Sequence, residues 1–133
     1  TILKELNIKA VPHFIIDRTF TEDDFYNILD FTFDCPFPIF THLTPIPGTE
    51  EYTRALKDKT LLTKDPKFFT YQYCVEQPEH LTLEKFNQLY DMLILKSFAI
   101  KKLRKYFPLP LTVLLFLAAR KHVRTIRRKR RDI

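Results

Sequence analysis

The chain has 133 residues and a mass of 16.0 kDa, with 45% hydrophobic and 29% charged residues. Those figures fit one ordinary globular domain at most, and they exclude a disordered tail, a collagen or a disulfide scaffold. The formal charge of +6 sits at one end. Residues 120–133 hold eight Lys/Arg and one Asp, net +7, which leaves 14 Lys/Arg against 15 Asp/Glu in the other 119 residues. The chain opens mid-pattern at Thr1, its single methionine is Met92, and its single glycine is Gly48. The expectation is a piece of a longer gene product. Cys35 and Cys74 stand 39 residues apart with no CxxC or CxxxCxxC spacing, so the chain carries no cysteine metal motif of its own. Buried reduced thiols are the favoured reading, and a disulfide stays open. The first 20 residues lack a basic region followed by an apolar run, and Leu109–Ala119 is interrupted by Pro110 and Thr112. Neither a signal peptide nor a bilayer span of about 20 residues is expected, and the default compartment is the cytoplasm.

Residues 1–6 read as the last turn of a helix that leaves through Asn7. Ile8 to Asp17 reads as a strand, rich in β-branched and aromatic residues, with Pro12 weakening its start. Thr21-Glu22-Asp23-Asp24 is a helix start: a hydroxyl cap with three carboxylates at the positive end of the dipole. Acid/base work by Thr21, Glu22 and Asp24 is the lesser reading of the same residues. Phe25, Ile28, Leu29 and Phe33 form the apolar face, and Cys35-Pro36 ends the helix. Phe37 to Thr44 is a second strand. Pro45 to Thr49 is a rigid turn, from which Thr49-Glu50-Glu51 starts a short helix to about Lys57. Residues 58–81 form a covering loop with Phe68, Phe69, Tyr71 and Tyr73. Thr82 caps a long amphipathic helix over 82–107, broken by Pro108 and Pro110. Residues 108–133 hold a last helix, about 111–129, apolar and then basic.

Strand, helix, strand, helix with short connections predicts a βαβ unit with parallel strands and a right-handed crossover. The fold class is therefore α/β. Two parallel strands do not stand alone, since parallel sheets are covered on both faces. With the more apolar faces set against helices, His13, Asp17, His42 and Thr44 point to a shared interior. Asp17 and Thr44 lie at the carboxyl ends of their strands, where α/β enzymes build their sites. Solvent-facing polar residues of an ordinary sheet are the plainer alternative.

Three segments carry a resemblance. They are His13-Phe14-Ile15-Ile16-Asp17, then Thr21-Glu22-Asp23-Asp24-Phe25, then Thr41-His42-Leu43-Thr44-Pro45-Ile46-Pro47-Gly48-Thr49-Glu50-Glu51-Tyr52. Over roughly residues 1–105 the chain resembles the C-terminal part of a radical S-adenosylmethionine (radical SAM) enzyme, nearest to members that carry a cobalamin-binding domain. Those members commonly have an LTPxPGTxxY turn after the sixth strand, then an LLTxDxxxY stretch, matched here in order by Leu61-Leu62-Thr63-Lys64-Asp65 and the aromatic loop. The resemblance implies a partial (β/α) barrel of six strands, of which residues 1–57 supply the last two. It also implies reductive cleavage of S-adenosylmethionine by a [4Fe-4S] cluster on a CxxxCxxC motif absent here, with cobalamin as a further cofactor. The remainder of such an enzyme, its N-terminal barrel strands, is the implied partner. Among implied cofactor-binding residues, Asp17 stands where the family often has a GxIxGxxE pattern; this stretch has no glycine. Leu43, Thr44 and Pro45 map to backbone that touches the adenine, and His13 and His42 to substrate-facing positions. Packing histidines are the alternative for that pair.

No P-loop or Rossmann glycine set exists, and neither cysteine sits in a nucleophile pattern. The runner-up is a non-catalytic basic α/β module. Residues 111–131 place leucines before eight cations, a pattern suited to an anionic membrane surface and a peripheral location there. Nucleic-acid phosphates rank below it, because no aromatic platform accompanies the arginines. The plain alternative docks the apolar half on the domain and leaves the basic half solvated.

Overall fold

A computed structural model describes residues 2–6, 8, 10–35 and 37–133 of the chain. The expected helix exit at Asn7 and the helix stop at Pro36 lie outside the described residues. The elements are α1 (Ile2–Glu5), β1 (His13–Ile16), α2 (Glu22–Thr32), β2 (Ile39–His42), α3 (Glu50–Lys57), a 3₁₀ turn (Pro66–Phe68), α4 (Leu83–Ser97), α5 (Ile100–Leu103) and α6 (Leu109–Arg130). The fold is mixed α/β around a two-stranded parallel sheet, in register His13 to Ile39 through Ile16 to His42.

Local chemistry accounts for most element boundaries. Thr21 and Asp24 form a reciprocal cap: the Thr21 N–H donates to Asp24 Oδ2 (2.8 Å) and the Asp24 N–H to Thr21 Oγ1 (3.4 Å). Thr21 Oγ1 also donates to Asp24 Oδ2 (2.7 Å), and this bond together with that of the Thr21 N–H holds the Asp24 carboxyl below its ordinary range. The turn after β2 needs its glycine, since Gly48 has φ +95°. Thr49 then caps α3 by accepting from Tyr52 N–H (3.3 Å). β1 is shorter than the predicted strand. Pro12 supplies only its carbonyl, which accepts from Ile39 N–H (2.9 Å), and regular strand begins one residue later.

The core lies on one face of the sheet. Ile16 and His42 are buried on that face, with Phe14 and Phe40 beside them, their rings stacked at 5.7 Å. Phe25 of α2, Phe86, Leu89, Tyr90 and Leu93 of α4, and Ala119 and Val123 of α6 complete the cluster. The opposite face is bare: Val11, Ile15, Ile39 and Leu43 are exposed, Ile15 at 55%. Face parity in β2 is thus the reverse of the sequence expectation. Phe40 and His42 meet the helices, and Ile39 and Leu43 point away.

Two further expectations are corrected. The helix over 82–107 is broken after Ser97, where Ala99 adopts extended backbone (φ −65°, ψ 141°) before α5. Tertiary packing makes the break. Ser97 Oγ meets Thr32 Oγ1 of α2 (3.3 Å), and Phe98 turns into the core edge, 6.3 Å from Phe37. In α6 the plain alternative holds only in part: the basic side chains are mostly exposed, but the apolar residues that dock lie chiefly in the basic half. The apolar half exposes Leu109, Leu111, Val113, Leu114 and Leu117, while the basic half buries Val123 and Ile126. The covering loop explains this, because Phe68, Tyr73 and Val75 gather on Ile126.

Asp91 of α4 fastens that half. It accepts from Arg127 Nε (2.7 Å) and Arg130 Nη1 (2.8 Å), and the Arg130 side chain is itself nearly buried. Removing one partner of a buried ion pair strands the other charge, at about 3–5 kcal/mol. Asp91→Ala should lower unfolding free energy by that order in urea melts. Asp91→Leu combined with Arg130→Met should recover most of the loss.

Candidate functional site

The residues that the sequence singles out lie on β1 and β2 and just beyond their carboxyl ends, and the structure divides them. His13 lies on the bare face, where its Nε2 is 2.9 Å from Thr41 Oγ1. His42 lies on the other face, 2% exposed. The shared interior expected for the two histidines is therefore corrected: in this register they sit on opposite sides of the sheet. Asp17 is half-buried, and its Oδ1 accepts from Thr19 N–H (2.8 Å), an arrangement that turns the chain out of β1. Leu43 is exposed and its N–H donates to Ile16 O (2.9 Å). Thr44 is buried, donating from Oγ1 to His42 O (3.2 Å), and Pro45 is buried after it.

His42 belongs to a sealed cluster. Its ring stacks on Tyr90 at 4.1 Å, and the guanidinium of Arg130 lies 5.5 Å from the centre of the same Tyr90 ring. Tyr90 Oη donates to Phe40 O (3.0 Å), which fixes α4 to the strand. Burial, helped by the Arg130 charge, pushes the His42 imidazole down to about 3. Neither ring nitrogen has a partner among the described residues. A neutral imidazole closed in by aromatic rings cannot exchange protons with a substrate, so His42 packs here. Cys74 is also inert. Burial pushes its thiol up to about 12, and its Sγ donates to Glu76 O (3.1 Å).

Cys35 and Cys74 are both free thiols. Among the described residues no three His, Cys, Asp or Glu side chains come together to hold a metal ion. The described residues, with two separate cysteines, therefore do not supply a three-thiolate set for a [4Fe-4S] cluster. Among the described residues no helix is long and apolar enough to cross a membrane.

A second polar group lies beside the strand ends. Glu76, nearly buried, accepts from Thr60 Oγ1 (2.7 Å) and pairs with Arg18 Nε (3.2 Å) and Arg54 Nη2 (3.2 Å). It ties the residue after Asp17 to α3 and to the covering loop. Sequence reasoning missed Glu76, Asp91 and Lys102, a buried lysine on α5. Asp91 had a legible signal, an acid between the apolar Tyr90 and Leu93 of a helix with arginines downstream. Compared with family models, curated proteins and solved structures, the chain matches none.

The His42 environment sets a pH dependence. The unfolded chain takes up a proton near pH 6.5 that the folded chain refuses until about 3. The stability from neutral His42 is complete above 6.5 and is lost as pH falls through that window, on the order of a few kcal/mol. Chemical denaturation at pH 7 and pH 4.5 should show this slope, and His42→Leu should remove it.

Proposed function

We propose that this chain is the C-terminal portion of a radical SAM enzyme, supplying the last two strands of a partial barrel that upstream strands complete. The observation that carries the reading is the asymmetry of the sheet. In the parallel ladder His13 and Ile15 turn their backbone N–H and C=O groups away from β2, and no strand of the described residues pairs with that edge. The far edge of β2 is occupied, since His42 N–H donates to Tyr71 O (2.7 Å). Further strands thus have room at β1 and not at β2, which suits the fifth and sixth strands of the resembled barrel. The bare face becomes the barrel interior. His13, Thr41 and Leu43 stand on it, and the backbone at Leu43, Thr44 and Pro45 is at its rim for the adenosine side of S-adenosylmethionine.

The chemistry of the reaction would reside in the cluster held upstream, with cobalamin as a possible second cofactor, and no residue of this chain is assigned to either. What the chain contributes is positioning: a wall, a rim and the helical cover behind them. Alone it should not cleave S-adenosylmethionine.

The test uses the native gene product. It should exceed 16.0 kDa, carry CxxxCxxC upstream, and release 5′-deoxyadenosine after anaerobic reconstitution. In it the His13 and Ile15 amides should be protected from hydrogen exchange, whereas in the 133-residue chain they exchange freely and the chain self-associates. A native protein of 16.0 kDa that melts as a monodisperse monomer overturns the proposal.

One observation favours a second reading, contact with an anionic membrane surface through residues 111–131. Leu114 and Leu117 are 62% and 53% exposed, and Arg120, Lys121, Arg124 and Arg128 are exposed farther along the same helix. Each basic residue at such a surface contributes about 1 kcal/mol. Partitioning onto phosphatidylserine-containing vesicles should be abolished in Leu114→Glu/Leu117→Glu, a change that leaves the buried Val123 and Ile126 in place. Equal partitioning of both proteins, or none by either, removes the membrane reading.

A further inference from the structure

The break between α4 and α5 opens a pocket of about 330 Å³ against the C-terminal end of α2. Its charged lining is mainly cationic, Lys96, Lys101, Lys102 and Lys105 against a single acid, Asp30, with Thr32 as the neutral polar residue. Leu29 and Phe33 of the α2 end supply apolar wall. Three of the four lysines are exposed, and their presence has an ordinary cause. Lysines at helix C-termini offset the negative end of the dipole, as Lys96 does in the last turn of α4.

Lys102 also falls in the last turn of α5, but unlike those three it is buried. The residue is 6% exposed, and its Nζ is buried with no hydrogen-bond partner among the described residues. A buried ammonium without an acceptor is rare, because it forgoes its hydration and gains nothing in exchange. Burial pushes Lys102 down to about 8, with Lys105 acting the same way and Asp34 and Cys35 opposing it. At neutral pH it remains mostly protonated. A charge in that position calls for an anion beside it, and the surrounding lysines raise the local concentration of one. The volume lies at the lower end of small-molecule sites, which combine apolar wall with few polar groups.

We propose that this pocket binds a small organic anion, a carboxylate- or phosphate-headed molecule with an apolar body, whose head group is the missing partner of the Lys102 ammonium. The apolar body rests on Leu29 and Phe33. The Phe33 ring is held by the Lys105 ammonium at 4.1 Å, which gives the pocket a fixed outer wall. The site is independent of the barrel reading, since it lies among the helices and away from the bare face of the sheet.

Calorimetric titration of the full chain with hexanoate, hexyl phosphate, inorganic phosphate and hexylamine tests this. One or both hexyl anions should bind with 1:1 stoichiometry. Hexanoate alone identifies a carboxylate site and hexyl phosphate alone a phosphate site. Hexylamine should not bind, and inorganic phosphate should bind at least tenfold more weakly than the preferred hexyl anion. Lys102→Met, which keeps the volume and removes the charge, should weaken the hexyl anions at least tenfold. Lys101→Gln/Lys105→Gln changes only exposed side chains, so it folds in any case and should weaken them several-fold. No heat from either hexyl anion overturns the proposal, as does unchanged affinity in both variants.

Discussion

Two consecutive residues of α4 hold the molecule together. Tyr90 reaches the sheet, with its hydroxyl on the Phe40 carbonyl and its ring on His42. Asp91 reaches the other way and takes both Arg127 and Arg130 of α6. Neighbouring positions on a helix point about 100° apart, so one turn of α4 can serve two layers. A two-stranded sheet is at best marginally stable in water. Here its stability depends on α4 covering one face, and α4 in turn is held from behind by α6. The basic segment that dominates the sequence charge is therefore partly structural. Its two best-placed cations are spent on one buried carboxylate, and only the outward ones remain for a partner.

What was legible in the sequence was local. The Thr21–Asp24 cap, the Pro-Gly turn around Gly48, the Thr82 helix start and the parallel order of β1 and β2 follow from short-range chemistry, and each is present. What was not legible depends on contacts between distant segments. The parity of β2 is the clearest case. By hydropathy Ile39 and Leu43 belong against the helices, and His42 on the opposite face with His13. The structure inverts this because Phe14 stacks on Phe40 and because Tyr90 offers His42 an aromatic face. The break at Ala99 has no glycine or proline to mark it, and it follows from where Phe98 and Ser97 find partners. Lys102 could not have been singled out among the lysines near it by any periodicity.

The inverted parity bears on the candidate site. With His42 withdrawn into the core, the bare face is more apolar than a catalytic wall built from His13 and His42 together. Its polar groups among the residues of β1 and β2 are His13 and Thr41, already bonded to each other. Such a face suits shape and exclusion of water rather than proton transfer. Val11, Ile15, Ile39 and Leu43 expose apolar surface on this one face, which a partner could cover.

Edge and face together restrict what covers it. A helix laid on the bare face would bury Val11, Ile15, Ile39 and Leu43 but leave the backbone groups of His13 and Ile15 unpaired. A strand added at β1 satisfies those groups, and further strands curving over the sheet bury the apolar side chains as well. Only the second arrangement answers both demands at once, since buried backbone donors and acceptors are rarely left orphaned. The loop closes β2 through Tyr71, while no strand of the described residues pairs with the other edge of β1, where under the proposed function the sheet would continue.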